Sequence, residues 1–148
     1  MTSKTETDRI VRTIAINAPL DRVWDLVTEP GWWVPTDAPA PIDHTAGHQV
    51  VRTSEKWGSF PIEVVRVDPQ TYAAFRWASS FPNEALAPGM TTLVEFTVTP
   101  IADGVEVTVT ETGFASIDAP EDVRASGFKA NTDGWRTELE GLKTRAEA

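Results

Sequence analysis

Cysteine is absent from the 148 residues, which excludes disulfides, thiolate nucleophiles and cysteine-held zinc or iron–sulfur centres. Histidine occurs only at His44 and His48, so any imidazole chemistry must pass through one of those two. Four residues apart, they would share a helix face, but the intervening Thr45-Ala46-Gly47 opposes a helix. Asp43 is the nearest third ligand, a poor constellation, and no metal is expected. Basic residues are also scarce: 13 Lys and Arg stand against 22 Asp and Glu, a net charge of −9. Nucleic acid is not an expected partner, because phosphates are held by clustered Lys and Arg. The same deficit disfavours an anionic membrane surface. No apolar run approaches the ~18 residues of a membrane span, so membrane insertion is not expected. Met1 to Asp8 is polar and lacks the apolar core of a secretory signal, which makes a cytoplasmic location the default. Neither a Gly-x-Ser-x-Gly elbow nor a Gly-rich phosphate loop occurs, and no cofactor is expected.

What is present is the composition of one soluble globular domain, with 41% hydrophobic and 24% charged residues. Residues 1–8 are expected to be a disordered N-terminus and residues 9–146 a single domain. Ile10, Ile14 and Ile16 share one parity in a β-branched segment, which predicts a strand over Arg9 to Ile16. Asn17-Ala18-Pro19 ends it and opens a helix whose face carries Leu20, Val23, Trp24 and Val27. Pro30-Gly31 should stop that helix after roughly three turns. A Pro-rich loop runs on to Gly47.

Strands follow near 48–54, 59–67, 71–78, 91–99 and 104–112. Asp103-Gly104 reads as a type I′ hairpin between the last two. Val94, Phe96 and Val98 should face the same side as Val105, Val107 and Val109. Ser79 to Gly89 is a long loop. Asp118 and Glu121 have capping-box spacing before a final helix with Phe128, Trp135, Leu139 and Leu142 on its apolar stripe. The order predicts an α+β fold, a curved antiparallel sheet wrapped around the C-terminal helix.

Ala18-Pro19 followed by Val23-Trp24, Pro30 and Trp32-Trp33 resembles the N-terminal signature of the START-like (SRPBCC) superfamily. Its branch of homologues of the activator of heat-shock protein 90 ATPase is the most similar. Val67-Asp68-Pro69 before Phe75-Arg76-Trp77 resembles that branch's central hairpin. Asp103-Gly104 with Thr112-Gly113-Phe114 resembles its last hairpin, and Gly134-Trp135 with Leu139 and Leu142 its final helix. The resemblance covers about residues 9 to 146. The chain departs from the pattern at Gly47-His48, where paired glycines are frequent, and at Glu111, where histidine is common. The resemblance implies a helix-grip fold, with short helices after the first strand and a cavity between sheet and C-terminal helix. It does not imply one activity, since carriers, cyclases, hydrolases and co-chaperone modules share the fold.

The candidate ligand-binding residues are Trp32, Trp33, Phe75, Trp77, Val94, Phe96, Val109, Glu111, Phe128, Asn131 and Trp135. Trp24 reads as core, whereas Trp32 and Trp33 beside the Pro-rich loop suit a pocket mouth. Phe75 and Trp77 share a strand face and should line the concave side, with Phe128, Asn131 and Trp135 above. Asn131 is either a structural hydrogen bonder or a ligand contact. Gly127, Gly134 and Gly141 recur every seven residues, at roughly 1 kcal/mol each relative to alanine. They allow either close packing on the sheet or room for a ligand, with Gly134 the cavity wall. Glu111 has inward parity and is the candidate catalytic residue, a general acid or base, with Asn131 or a loop histidine the other possible sources of acid–base groups. Arg12 shares the inward parity of its own strand and could meet Glu111, the two forming either an end-of-strand pair that reaches solvent or a polar anchor at one end of the cavity. The leading function is therefore binding of a hydrophobic or aromatic small molecule. Alternatives are a polyketide cyclase- or hydrolase-like enzyme in the same cavity, or a protein-partner module acting on a chaperone. A homodimer is compatible with all three.

Overall fold

The structure, a computed structural model, describes residues 8–35, 40 and 42–148. Six strands form one antiparallel sheet: β1 (Arg9–Ile16), β2 (Gln49–Ser54), β3 (Gly58–Asp68), β4 (Tyr72–Trp77), β5 (Thr92–Ile101) and β6 (Gly104–Thr112). Their order is β1-β6-β5-β4-β3-β2, so the first two strands in sequence are the two edges. Helix α1 (Leu20–Val27) follows β1, and α2 (Glu121–Glu147) ends the chain. The curved sheet and long C-terminal helix form the helix-grip fold expected. Among the described residues, no helix is long and apolar enough to cross a membrane. The expectation of disorder over residues 1–8 falls outside the described residues, Asp8 excepted. Asp8 Oδ1 accepts hydrogen bonds from the backbone N–H of Gly113 and of Ala115, at 3.1 and 2.8 Å.

Alternation sets the register. Phe96 pairs with Val109 and Val98 with Val107, as parity requires, and all four are buried. Val94, by contrast, stands opposite Glu111, which places the one inward carboxylate among apolar neighbours. The β5–β6 hairpin differs from the expected turn type. Ile101 pairs with Gly104, so the turn is Ala102-Asp103, and neither residue has the positive φ that type I′ demands. Gly104 instead begins β6 at φ +149°, where a Cβ would collide with the Ile16 carbonyl of neighbouring β1.

Both helix starts also differ. The N-cap positions are Pro19 and Pro120, neither with a side-chain cap, so the Asn17 cap and the Asp118–Glu121 box do not form. Asp118 is engaged elsewhere, its N–H donating to the Gly89 carbonyl. Helix α1 has eight residues, closer to two turns than three, because Thr28 already leaves helical geometry. It is the one α-helix between β1 and β2 among the described residues.

Gly31 then reverses the chain at φ +73° with Arg52 packed against its face. Arg52 is 5% exposed, and its Nη1 donates to Glu29 Oε2 (3.1 Å) and the Pro30 carbonyl (2.8 Å). That clamp, from the far edge strand, holds the turn that feeds Trp32 and Trp33 inward.

Candidate functional site

Two indoles occupy the middle of the grip. Trp33 lies with its ring centroid 5.5–5.7 Å from those of Phe75, Trp77, Phe96 and Trp135. Trp32 wedges between Phe96 and Trp135 at 5.5 and 6.3 Å. Such tilted and edge-on pairs are favourable packing, each worth roughly 0.5–1.5 kcal/mol beyond area burial. They also fill the space beneath the helix. Trp32, Phe75, Val94, Phe96 and Val109 are therefore core residues, at most 4% exposed. Phe128 is half-buried against Phe114, with centroids 5.3 Å apart.

A hollow remains to one side, a cleft of about 500 Å³. Four of the sequence candidates line it: Trp33, Trp77, Asn131 and Trp135. The rest of its wall comes from Val34 and Pro35 after the Trp pair, from Trp57 and Phe60 around the β2–β3 turn, and from Ser79 and Pro82 beyond β4. Helix α2 supplies Ala130, Gly134, Thr137 and Glu138. An added Cβ at Gly134 would meet nothing within 4 Å, so this glycine opens space rather than closing a contact. Gly127 does the opposite, since its Cβ would lie 2.7 Å from Ser80 Oγ, and Gly141 is exposed.

Glu111 stands behind this wall with no exposed surface. Trp77 Nε1 (2.9 Å) and Thr92 Oγ1 (2.6 Å) donate to Oε2, and Trp135 Nε1 (2.8 Å) donates to Oε1. Asn131 Nδ2 bridges both oxygens at 3.1 and 3.2 Å and also donates to Ser79 Oγ. Burial pushes the carboxyl above its ordinary range, and the bonds from Thr92, Trp135, Trp77 and Asn131 pull it back. Indole and amide N–H groups can only donate here, so a proton on Glu111 has one acceptor among its partners, the Thr92 hydroxyl. Reversing that single bond lets the neutral carboxyl keep the whole set.

Arg12 does not join it. It reaches over β1 to the helix, where Nη2 donates to the Thr132 carbonyl at 3.3 Å. The pairing considered from parity fails because three neutral donors from β4 and α2 already surround the carboxyl. Three of Glu111's four partners, Trp77, Asn131 and Trp135, are themselves cleft residues. Glu111 therefore meets the cleft only through them.

Residues 17–147 match the family model described as Activator of Hsp90 ATPase homolog 1-like protein. The chain belongs to that family. Similar solved structures include protein MLL2253 from Mesorhizobium loti, with a TM-score of 0.69 and 20% identity over 92% of this chain and 94% of that one. The Aha1 dimer from Colwellia psychrerythraea has a TM-score of 0.70 and 15% identity, covering 94% and 96%. DynU16, from the dynemicin biosynthetic locus, has a TM-score of 0.67 and 25% identity over 93% of this chain but 46% of its own. No curated protein sequence matches the chain.

Within this Hsp90-activator-homologue fold, Trp57, Phe60 and Glu138 are cleft residues that the sequence did not single out. Glu138 carried a usable signal, since it lies seven residues after Asn131 and four after Gly134, hence on their helix face. Trp57 carried less, because a turn residue has no periodicity to place it. The two histidines lie apart from the cleft. His48 Nδ1 is 3.7 Å from Asp43 Oδ2, and His44 meets the edge of Trp24. Among the described residues, no three His, Asp or Glu side chains gather in a metal-holding group.

Proposed function

We propose that the chain is a small-molecule binding protein whose ligand is largely apolar and enters the cleft beside α2. One observation carries this reading: a hollow of about 500 Å³, walled by Trp33, Trp57, Phe60, Trp77 and Trp135. That volume suits a molecule of drug size, and a mostly apolar wall with few polar groups is the usual make-up of such sites. The likeness to DynU16, a protein in the dynemicin biosynthetic locus, agrees with it. Titration of intrinsic tryptophan fluorescence with a panel of hydrophobic and aromatic compounds tests the proposal. At least one compound should give saturable quenching that Gly134→Leu abolishes by filling the hollow. Silence across the panel would dismiss the reading.

A cyclase- or hydrolase-like use of the cleft is the second reading, favoured by one feature, a buried carboxyl with a raised pKa. Glu111 would have to reach its substrate past Asn131. Enzymatic turnover that Glu111→Gln removes, with ligand affinity kept, would promote this reading over simple binding.

A further inference from the structure

The charge on the cleft wall is one-sided. Among its described lining residues there is one ionisable side chain, Glu138, and no Lys, Arg or His. The Glu138 carboxylate makes no hydrogen bond or ion pair with any described residue, although burial penalises its charge and pushes its pKa up. Arg145, two turns further along α2, offsets that penalty only through space. Its guanidinium is instead placed over the face of Trp32, 5.7 Å from the centroid.

Around this carboxylate stand indoles. Trp57 is 56% exposed at the β2–β3 turn, where its indole forms part of the cleft wall. One of its faces already accepts a cation, with Lys56 Nζ 4.7 Å from the ring centroid. Trp33 and Trp77 meet edge-to-face in the same wall, with centroids 5.5 Å apart. The N–H groups of Trp77 and Trp135 donate to Glu111, which draws positive charge out of the ring edge and leaves the π face richer in electrons. Several indole faces with one unpaired carboxylate form the arrangement that receives an organic ammonium ion. Glu138 and the net charge of −9 together bias the cleft against a carboxylate or phosphate.

We infer that the cleft selects organic cations: its ligand carries a protonated amine or quaternary ammonium group that sits between Trp57, Trp33 and the Glu138 carboxylate, its apolar body turned toward Gly134 and Trp135. This rests on the binding reading above and names its ligand class.

The test is calorimetric titration with three naphthylmethyl compounds of different charge, the first two isosteric. These are (1-naphthylmethyl)trimethylammonium, its neutral carbon isostere 1-neopentylnaphthalene, and anionic 1-naphthylacetate. The cation should bind about tenfold tighter than the neutral isostere, as a partly desolvated cation–π site allows, and the anion weakest. Glu138→Gln and Trp57→Leu should each cut the cation-to-neutral affinity ratio several-fold. Trp57 is exposed and the Gln exchange is isosteric, so both variants should fold, as circular dichroism will show. Equal binding of the cation and its neutral isostere overturns the inference while leaving a binding protein. Binding of none of the three overturns the inference and removes the reading beneath it.

Discussion

Glu111 is the residue whose environment most constrains its chemistry. A carboxylate with no exposed surface and no cationic partner is an expensive group, tolerated because four neutral side chains direct hydrogens at it. Glu111→Gln keeps the shape but turns one acceptor into a donor, which must face an indole or amide N–H. That variant should lose about 1–3 kcal/mol, the cost of one buried donor left unsatisfied. The effect should depend on pH. Because the folded-state pKa is raised above the ordinary 4.5, the Glu111 contribution is full below that value and is lost as pH rises through the folded pKa. Urea unfolding of both proteins from pH ~4 to ~8 should therefore show the gap largest in acid and narrowing upward. A gap that widens with pH would mean that the donors hold the ionised form better than water does. From sequence, parity alone already turned Glu111 inward. Its partners were not legible as a set, because Trp77, Thr92, Asn131 and Trp135 come from three separate elements and converge only when the sheet curls.

Helix α2 serves two purposes along its length, and the seven-residue glycine spacing records both. The sequence showed the spacing but could not separate packing from space, since that depends on what lies opposite each position. Opposite Gly127 is Ser80 Oγ, opposite Gly134 the cleft, and opposite Gly141 no atom within 4 Å. Gly134→Ala and Gly141→Ala should therefore each raise stability by about 0.5–1 kcal/mol, the helix-propensity gain with no steric cost. Gly127→Ala should gain less or lose, because its methyl displaces Ser80. Thermal unfolding of the three single variants decides this, and a gain at Gly127 equal to the other two would contradict the close approach there. The strands were the most readable elements, each within two residues of its expected bounds at either end, because one buried face imposes strict alternation. Caps and turns were less so. Pro120 took the N-cap that Asp118 and Glu121 suggested, and Ala102 took the turn position that Asp103-Gly104 suggested. In both cases a tertiary backbone contact, Asp118 with Gly89 and Gly104 beside Ile16, displaced the local preference.

The molecule is closed by contacts between segments more than a hundred residues apart. Arg22, on a short helix whose sequence marks it only as a polar face, grips the far end of α2. Its Nε donates to the Ala146 carbonyl and its Nη2 to that of Arg145, both at 2.7 Å. These carbonyls belong to the last turn of α2, where backbone acceptors have no partner within the helix. The guanidinium satisfies two at once and sets a positive charge against the negative end of the helix dipole. Nearby, Glu147 accepts from the Asn17 N–H at 2.8 Å and pairs with Lys143. The clasp fixes the lower half of α2 over β1 and leaves the upper half, with Asn131, Gly134 and Glu138, to border the cleft. Arg22→Gln cannot span both carbonyls and should cost about 1–2 kcal/mol, in the range of charge-assisted hydrogen bonds. The loss should be local before it is global. Amide hydrogen exchange in the final two turns of α2 should quicken, while protection in β5 and β6 falls only by the change in global stability. Arg22→Lys, which retains the charge but makes a single contact, should recover part of the difference. If it recovers all of it, the dipole rather than the forked geometry holds the helix end.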